Sequence, residues 1–552
     1  MPKNYETKTV GKMNQYFKLP NPNLRSYFGR VVEGQPEVYR TPWYKKGEDD
    51  RPISEILDMW MPHLEKLQDT WPGLYKFEDD LAKKVGPMSV MKPLEERLPD
   101  VESYYESILL DSVPISNDAI DAVVKEWQRA SGLRVRSLQR TVEYMKKSTN
   151  SGSPYFTKRR NVIEDTFPCH VYIDNDDTIM QELNSGDDYY CCAVLGWRGQ
   201  EGGPNVEDVK QRVVWMFPMA INAEELRVYQ PLIESAQRFN IVPAWISMEA
   251  VDERITKLFD TKDPNDLIIC TDFEKFDQHF NQDMSQCAAT ILSRIFTDTD
   301  DFRNWSKDVF PIKYNIPLCI NWNEFKTGLH GMGSGSGGTN ADETLTHRAL
   351  QYEAAIKAGK ELNPNSMCLG DDGIISFPGI SVEAVTSVYS SHGQTMNDSK
   401  QTASTEECTY LRRWHHRDYR IDGKCAGVYS TARALGRLAT QERYYDSEKW
   451  NSKMVALRQL SILENIKYHP LREEFVDFCM KGDKYRLGLD IPGFLANIEQ
   501  EAKKAIDYMP DFLGYTKSLQ GDDPAKGINE WWIVKYLKSL ASDRDGAVNH
   551  WT

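Results

Sequence analysis

Ser366-Met-Cys-Leu-Gly370-Asp371-Asp372-Gly373-Ile-Ile-Ser-Phe377 joins two apolar runs through Gly-Asp-Asp-Gly. Apolar runs flanking such a turn specify a tight β-hairpin, with glycine at its positive-φ positions. Asp-Gly is an ordinary turn dipeptide, so the hairpin alone carries no chemistry. The two adjacent carboxylates at its tip carry more, because their repulsion costs free energy unless a cation offsets it.

About a hundred residues upstream, Leu267-Ile-Ile-Cys-Thr-Asp272 is a short apolar run ending in an acid. It reads as a buried strand that delivers a carboxylate at its tip. The continuation Asp272-Phe-Glu-Lys-Phe-Asp277 places a second acid five residues on, a spacing that caps on a following helix would also produce. Asp272, Asp371 and Asp372 together make a three-carboxylate cluster suited to hard, oxygen-seeking Mg²⁺ or Mn²⁺. Two such ions about 3.5–4 Å apart activate a hydroxyl and stabilise a leaving pyrophosphate in an in-line displacement. Between the acids lies Gly331-Met-Gly-Ser334-Gly-Ser-Gly-Gly-Thr339-Asn340-Ala-Asp-Glu-Thr, which runs into a helical pattern through about Ala358. A glycine-rich loop opening a helix offers free N–H groups to phosphate, or lets backbone approach a ligand closely. It lacks the Gly-Lys-Ser/Thr of an ATPase loop and the Rossmann glycine spacing.

The rest of the 552-residue chain sets bounds on these motifs. Its length calls for two or three packed subdomains, and 40% hydrophobic with 27% charged residues is ordinary for a soluble protein. No run of about 18 apolar residues occurs, and the first residues lack a secretory pattern, so no membrane association is expected. None of the ten cysteines forms a Cys-x-x-Cys pair, which makes them reduced core thiols. Net charge is −15, against nucleic acid if taken alone. From Arg134 to Arg160, however, eight Lys/Arg stand against one acid, Glu143. A basic channel within an acidic shell reconciles the two, and a solvated helix face accounts equally for the run.

Residues 1–50 read as an extended arm. Helical patterns follow at 54–71, 117–131 (capped by Ser116 or Asn117) and 137–148. Short β-type runs occur at His170–Ile173 and Val213–Phe217, and the chain turns helical from about 448, at Glu448–Ile466, Leu471–Lys481, Gly493–Tyr508 and Asn529–Ser542.

An acid-tipped strand, a Ser-Gly-x-x-x-Thr loop with its helix, and a Gly-Asp-Asp hairpin, in that order, resemble the palm of viral RNA-dependent RNA polymerases. The surrounding wording is most similar to the double-stranded-RNA virus polymerases of the picobirnavirus type, with the partitivirus type second. The motifs cover about 150–430. The resemblance implies an α+β right hand whose palm is a small antiparallel sheet with helices on one face. It implies an N-terminal arm and fingers over 1–265, palm over 266–300 and 329–425, a fingers insertion over 301–328, and a helical thumb with C-terminal region over 426–552.

The resemblance also assigns roles. Asp272, Asp371 and Asp372 would hold two Mg²⁺ or Mn²⁺ ions. In His392-Gly-Gln-Thr-Met-Asn-Asp-Ser-Lys400, Lys400 would act as general acid toward the leaving pyrophosphate. Lys210-Gln-Arg212, joined by Arg198, would grip the triphosphate. Ser334, Thr339 and Asn340 would shape the ribose pocket, and Asp277 would accept a hydrogen bond from the ribose 2′-hydroxyl. Ser151, Gly152 and Pro154 would contact template, and Arg412, in Tyr410-Leu-Arg412-Arg413, would belong to a primer-grip strand. The family commonly has Asn at the position of Glu343, which leaves Asp342 or Asn340 as partner for Asp277. Implied partners are template and product RNA, ribonucleoside triphosphates and a viral capsid protein, in the virion interior and host cytoplasm. A reverse transcriptase is opposed by Asp277 and Gly370. A metal-dependent nuclease leaves the basic strand and glycine loop unexplained, and a non-catalytic RNA-binding protein does not need all three acids.

Overall fold

Ile268–Thr271 forms the central strand of a four-stranded sheet, its two isoleucines fully buried. β-Branched residues suit a pleated surface packed on both faces. Met367–Leu369 and Asp372–Ile375 form the expected hairpin, and Thr402–Ser404 closes the other edge, so that the order is hairpin, central strand, edge strand, antiparallel throughout. These elements belong to a computed structural model that describes residues 5–46, 49–446, 448–506, 508–509 and 527–548.

The helices Gln282–Ile295 and Thr339–Lys357 pack on each other, and the core they share with the sheet takes in Ile291, Leu345, Leu350 and Ile374. Asn117–Glu126 lies against Thr339–Lys357, capped by Ser116, one of the two expected candidates, whose hydroxyl accepts from the Ala119 N–H. A second, five-stranded sheet runs Tyr5–Thr9, Glu324–Gly328, Leu318–Asn321, Ala193–Gln200, Lys210–Met216. The expected insertion thus supplies two of its strands.

Glu407–Tyr410, Arg413–His416 and Val428–Tyr429 form a small sheet that leads into the C-terminal helices. These helices run over Thr431–Ala439, Ser452–Glu464, Arg472–Lys481, Ile498–Ala505 and Trp532–Val548, close to the expected patterns.

Several expectations need correction. The arm expected over 1–50 contains the helix Pro22–Glu33, which buries Leu24, Phe28 and Val31. Asn21 caps it and Pro22 fits its first turn. The helix expected over 137–148 stops at Tyr144, because Met145 is extended. Residues 115–130 and 228–259 contribute to the core beneath the four-stranded sheet, while Trp43, Ile56, Trp60, Leu64 and Leu74 pack among the C-terminal helices. There the Trp60 indole donates to the Thr431 hydroxyl at 2.9 Å, and Tyr39–Arg40 pairs with Thr440–Gln441. All ten cysteines are free thiols, and no described helix is long and apolar enough to cross a membrane.

Candidate active site

The central strand carries Asp272 out of the sheet, and a single side chain fixes its backbone. Asp272 N–H donates to Gln401 Oε1 at 2.6 Å, and Gln401 Nε2 returns a bond to the Asp272 carbonyl at 2.9 Å. Pairing of Thr271 with Gly373 sets the hairpin tip beside Asp272. Gly370 takes φ +57° at that tip, the left-handed region that glycine enters freely. Its N–H donates to the Thr344 hydroxyl at 2.9 Å and its carbonyl lies 2.8 Å from His347 Nδ1, so the helix following the glycine loop holds the tip. Gly373, also expected at positive φ, is not there. It is required because a Cβ would stand 2.6 Å from the His347 ring.

Asp272 and Asp371 open onto the cleft. Burial raises the pKa of Asp371, as does the charge of Asp277, while Arg212 opposes the shift. Burial also raises that of Asp272, with Lys400, Lys84 and Lys210 drawing it back. Asp372 is pushed up to about 7 by burial and by Asp371. Its placement differs from expectation: Oδ2 accepts from the Leu411 N–H at 2.8 Å, tying the hairpin to the neighbouring small sheet. Among the described residues no three acid, histidine or cysteine side chains converge as a ready-made ion cage. Asp272 and Asp371 nevertheless fit hard divalent cations, since clustering and burial disfavour their ionised forms until a cation neutralises them.

Basic residues face these acids. Lys210 and Arg212 lie at alternate positions of Lys210–Met216, and Arg198 pairs with Arg212 across the ladder. Burial lowers the Lys210 pKa, and the cations of Lys84, Lys400 and Arg412 lower it further. Arg198 is in an ion pair with Glu442, at the edge of the C-terminal helices. Arg412 sits in the turn between Glu407–Tyr410 and Arg413–His416, where Leu411 and Arg412 have φ of 51° and 62°. A cavity of about 330 Å³ opens there, lined by Arg198, Arg212, Arg412, Arg433 and Arg437 with Glu201. Lys84 was not legible in the sequence, where it ends an ordinary charged helix.

The glycine loop is held from within. Ser334 Oγ donates to the Val213 carbonyl at 3.4 Å, and the Thr339 hydroxyl donates to the Gly333 carbonyl at 3.1 Å. Asn340 Oδ1 accepts from the Trp245 indole at 2.7 Å. Asp342 is excluded as partner for Asp277: it is fully buried, ion-paired to Lys313 at 3.0 Å and bonded by the hydroxyls of Tyr229 and Tyr314, each at 2.7 Å. Glu343 itself takes that place. It is buried, and the Asp277 carboxylate is among the groups acting on its carboxyl. Burial raises its pKa well above the usual range, and the charges of Asp277 and Asp371 add to this.

Ser151, Gly152 and Pro154 are buried, so they shape their loop without offering a surface to a ligand. The Ser151 hydroxyl accepts from Thr157 N–H, and a Cβ on Gly152 would meet the Phe217 carbonyl at 2.5 Å.

Comparison with known proteins agrees with this geometry. A family model described as viral RNA-dependent RNA polymerase matches residues 95–426. A human picobirnavirus protein described as a potential RNA-dependent RNA polymerase is 61% identical over 531 residues, 95% of this chain and 98% of its own. The crystal structure of the RNA-dependent RNA polymerase of a human picobirnavirus superposes with a TM-score of 0.91 at 60% identity, covering 96% of this chain and all of that one. That polymerase's insertion-loop deletion mutant gives 0.90 at 57% identity, with coverage of 96% and 100%.

Proposed function

The chain belongs to the viral RNA-dependent RNA polymerase family, and from that premise we propose that it extends RNA on an RNA template, replicating and transcribing a viral double-stranded RNA genome. The observation that carries this reading is the pairing of Asp272 and Asp371 at the cleft floor with Lys210 and Arg212 close above them.

Asp272 and Asp371 would hold two Mg²⁺ or Mn²⁺ ions, with Asp372 supporting the hairpin through Leu411. When bound, such ions neutralise phosphate charge and lower the pKa of the attacking hydroxyl. Arg212 and Lys210 grip the triphosphate, the guanidinium as a fork and the ammonium as a point charge. The 3′-hydroxyl of the growing strand loses its proton to solvent, and its oxygen bonds to the α-phosphorus as the bond to the pyrophosphate oxygen breaks. Lys400 Nζ, on the Asp272 side, donates a proton to that leaving group. Arg198 is engaged by Glu442 and contributes to the triphosphate site mainly by closing its rim. Capsid association, in a virion interior or host cytoplasm, accompanies this reading as its biological setting.

We assign reading of the sugar to the Asp277–Glu343 pair. The Glu343 carboxyl beside it positions Asp277 as an acceptor for a ribose 2′-hydroxyl, and a deoxyribose leaves that acceptor unpaired, at a cost typical of a buried polar group. Glu343→Ala is expected to narrow ribonucleotide over deoxyribonucleotide preference by roughly tenfold or more. Glu343→Gln, which can donate its own N–H to Asp277, should retain most of it. Relative kcat/KM for the two nucleotide types checks this, and equal discrimination in all three proteins would refute it.

The polymerase reading itself is tested by incorporation of labelled nucleotides on single-stranded RNA with Mg²⁺ or Mn²⁺. Template-dependent product from ribonucleotides, abolished by chelation, is expected. Degradation of the template would point instead to a nuclease.

A further inference from the structure

The basic run Arg134–Arg160 is not used by the chemistry above, yet the fold brings its two ends together. Residues 146–150 and 158–160 run side by side: Asn150 bridges Lys158, Arg160 N–H donates to the Lys147 carbonyl at 3.1 Å, and Arg159 N–H to the Thr149 carbonyl at 2.9 Å. Cations from both ends of the run thus meet around the end of the short helix Leu138–Tyr144. Tyr144 stands there 52% exposed. The guanidinium of Arg136 lies 5.7 Å from its ring centroid and that of Arg140 lies 5.9 Å away. Arg136 is anchored in turn by Gln230 at 3.1 Å and by Glu234.

A half-exposed phenol braced by two arginines, within a field of lysine and arginine, has the two parts of a single-strand site. A π-face receives a base and cations follow the backbone. A duplex has no free base to offer the ring, so the exposed aromatic favours a single strand. The patch also adjoins the site already described. Arg159 Nη2 donates to Asn222 Oδ1 at 2.7 Å, and Asn222 Nδ2 donates to the Gly335 carbonyl of the glycine loop at 3.1 Å.

We propose that Tyr144, flanked by Arg136 and Arg140, is a stacking platform for single-stranded template RNA before it reaches the cleft. This rests on the polymerase reading for the strand's destination, though not for the binding itself.

The test uses the full chain with a labelled single-stranded RNA of about twenty nucleotides, in chelator and at several salt concentrations. Tyr144→Ala is expected to weaken binding about tenfold and Tyr144→Phe to restore it, since stacking needs the ring and not the hydroxyl. Arg134→Ala and Arg140→Ala should each reduce the slope of log affinity on log salt by about 0.7. In nucleotide addition, the Tyr144→Ala defect should grow with the length of template 5′ of the site. Unchanged single-strand affinity in Tyr144→Ala, or an equal loss on blunt duplex, would overturn the platform. Absence of nucleotide addition by the wild type would sink the polymerase reading separately, leaving the binding result intact.

Discussion

Asp371→Asn is expected to reduce nucleotide addition by about 10⁴-fold or more while leaving the folded protein more stable in the absence of divalent ions. Both effects have one cause. In the native cleft the ionised Asp371 is disfavoured by burial and by Asp277, which raises its pKa. The folded state therefore binds a proton more tightly than the unfolded chain, so this group's contribution to stability is full in acid and is lost as pH rises through the folded pKa. Asparagine does not ionise and escapes that loss. In chelator at pH 8 the variant should melt above wild type, with the gap closing toward pH 4. Added Mn²⁺ should raise the melting temperature of wild type more than that of the variant, because only wild type retains both carboxylates. A variant that melts lower in chelator, or that retains activity, would show that Asp371 is not a carboxylate held ready for a cation.

The second large effect is on the scaffold. Lys313 and Asp342 are an ion pair with no solvent contact on either side chain. The ammonium also donates to the Phe310 carbonyl at 2.8 Å and lies 3.6 Å from the Phe310 ring centroid. Burial lowers the Lys313 pKa, and Asp342 opposes that shift. The Lys313 carbonyl accepts from Gly333 N–H at 3.0 Å, so this network also positions the glycine loop. Lys313→Met strands a buried carboxylate and should destabilise the protein by about 3–5 kcal/mol. Lys313→Met combined with Asp342→Asn removes the unpaired charge and should recover more than half of that loss. Thermal or denaturant unfolding of the single and double variants measures it, and strictly additive losses would mean that the two groups are not coupled.

The parts of the site legible in the sequence were those whose signal is local. The buried strand ending at Asp272 and the hairpin around Gly370 follow from short apolar runs and turn chemistry. The helix opening at Thr339 follows from its residue spacing, and Ser116 from its position before an apolar-periodic run. The helix Pro22–Glu33 was legible too, from Asn21, Pro22 and the spacing of Leu24, Phe28 and Val31, but a composition rich in proline and tyrosine masked it. What was not legible depends on contacts between distant segments. Asp372 turns to Leu411 because the small sheet brings an N–H to it. Glu343 meets Asp277 because the loop helix and the central strand converge there. Lys84 nears Asp272 only through packing of the N-terminal helices. The close approach of Phe217 to Gly152 likewise joins two segments far apart in the chain.

The seating of Trp60 among the C-terminal helices sets a timetable for the chain's own synthesis. Trp60 and its partner Thr431 are 371 positions apart. At about 5–20 residues per second, a ribosome needs roughly 20–75 s to make the second after the first. Throughout that interval Ile56, Trp60 and Leu64, none of them exposed in the finished protein, lack the C-terminal part of the core that covers them. Completion of the core around one of the earliest-made segments therefore waits on one of the latest.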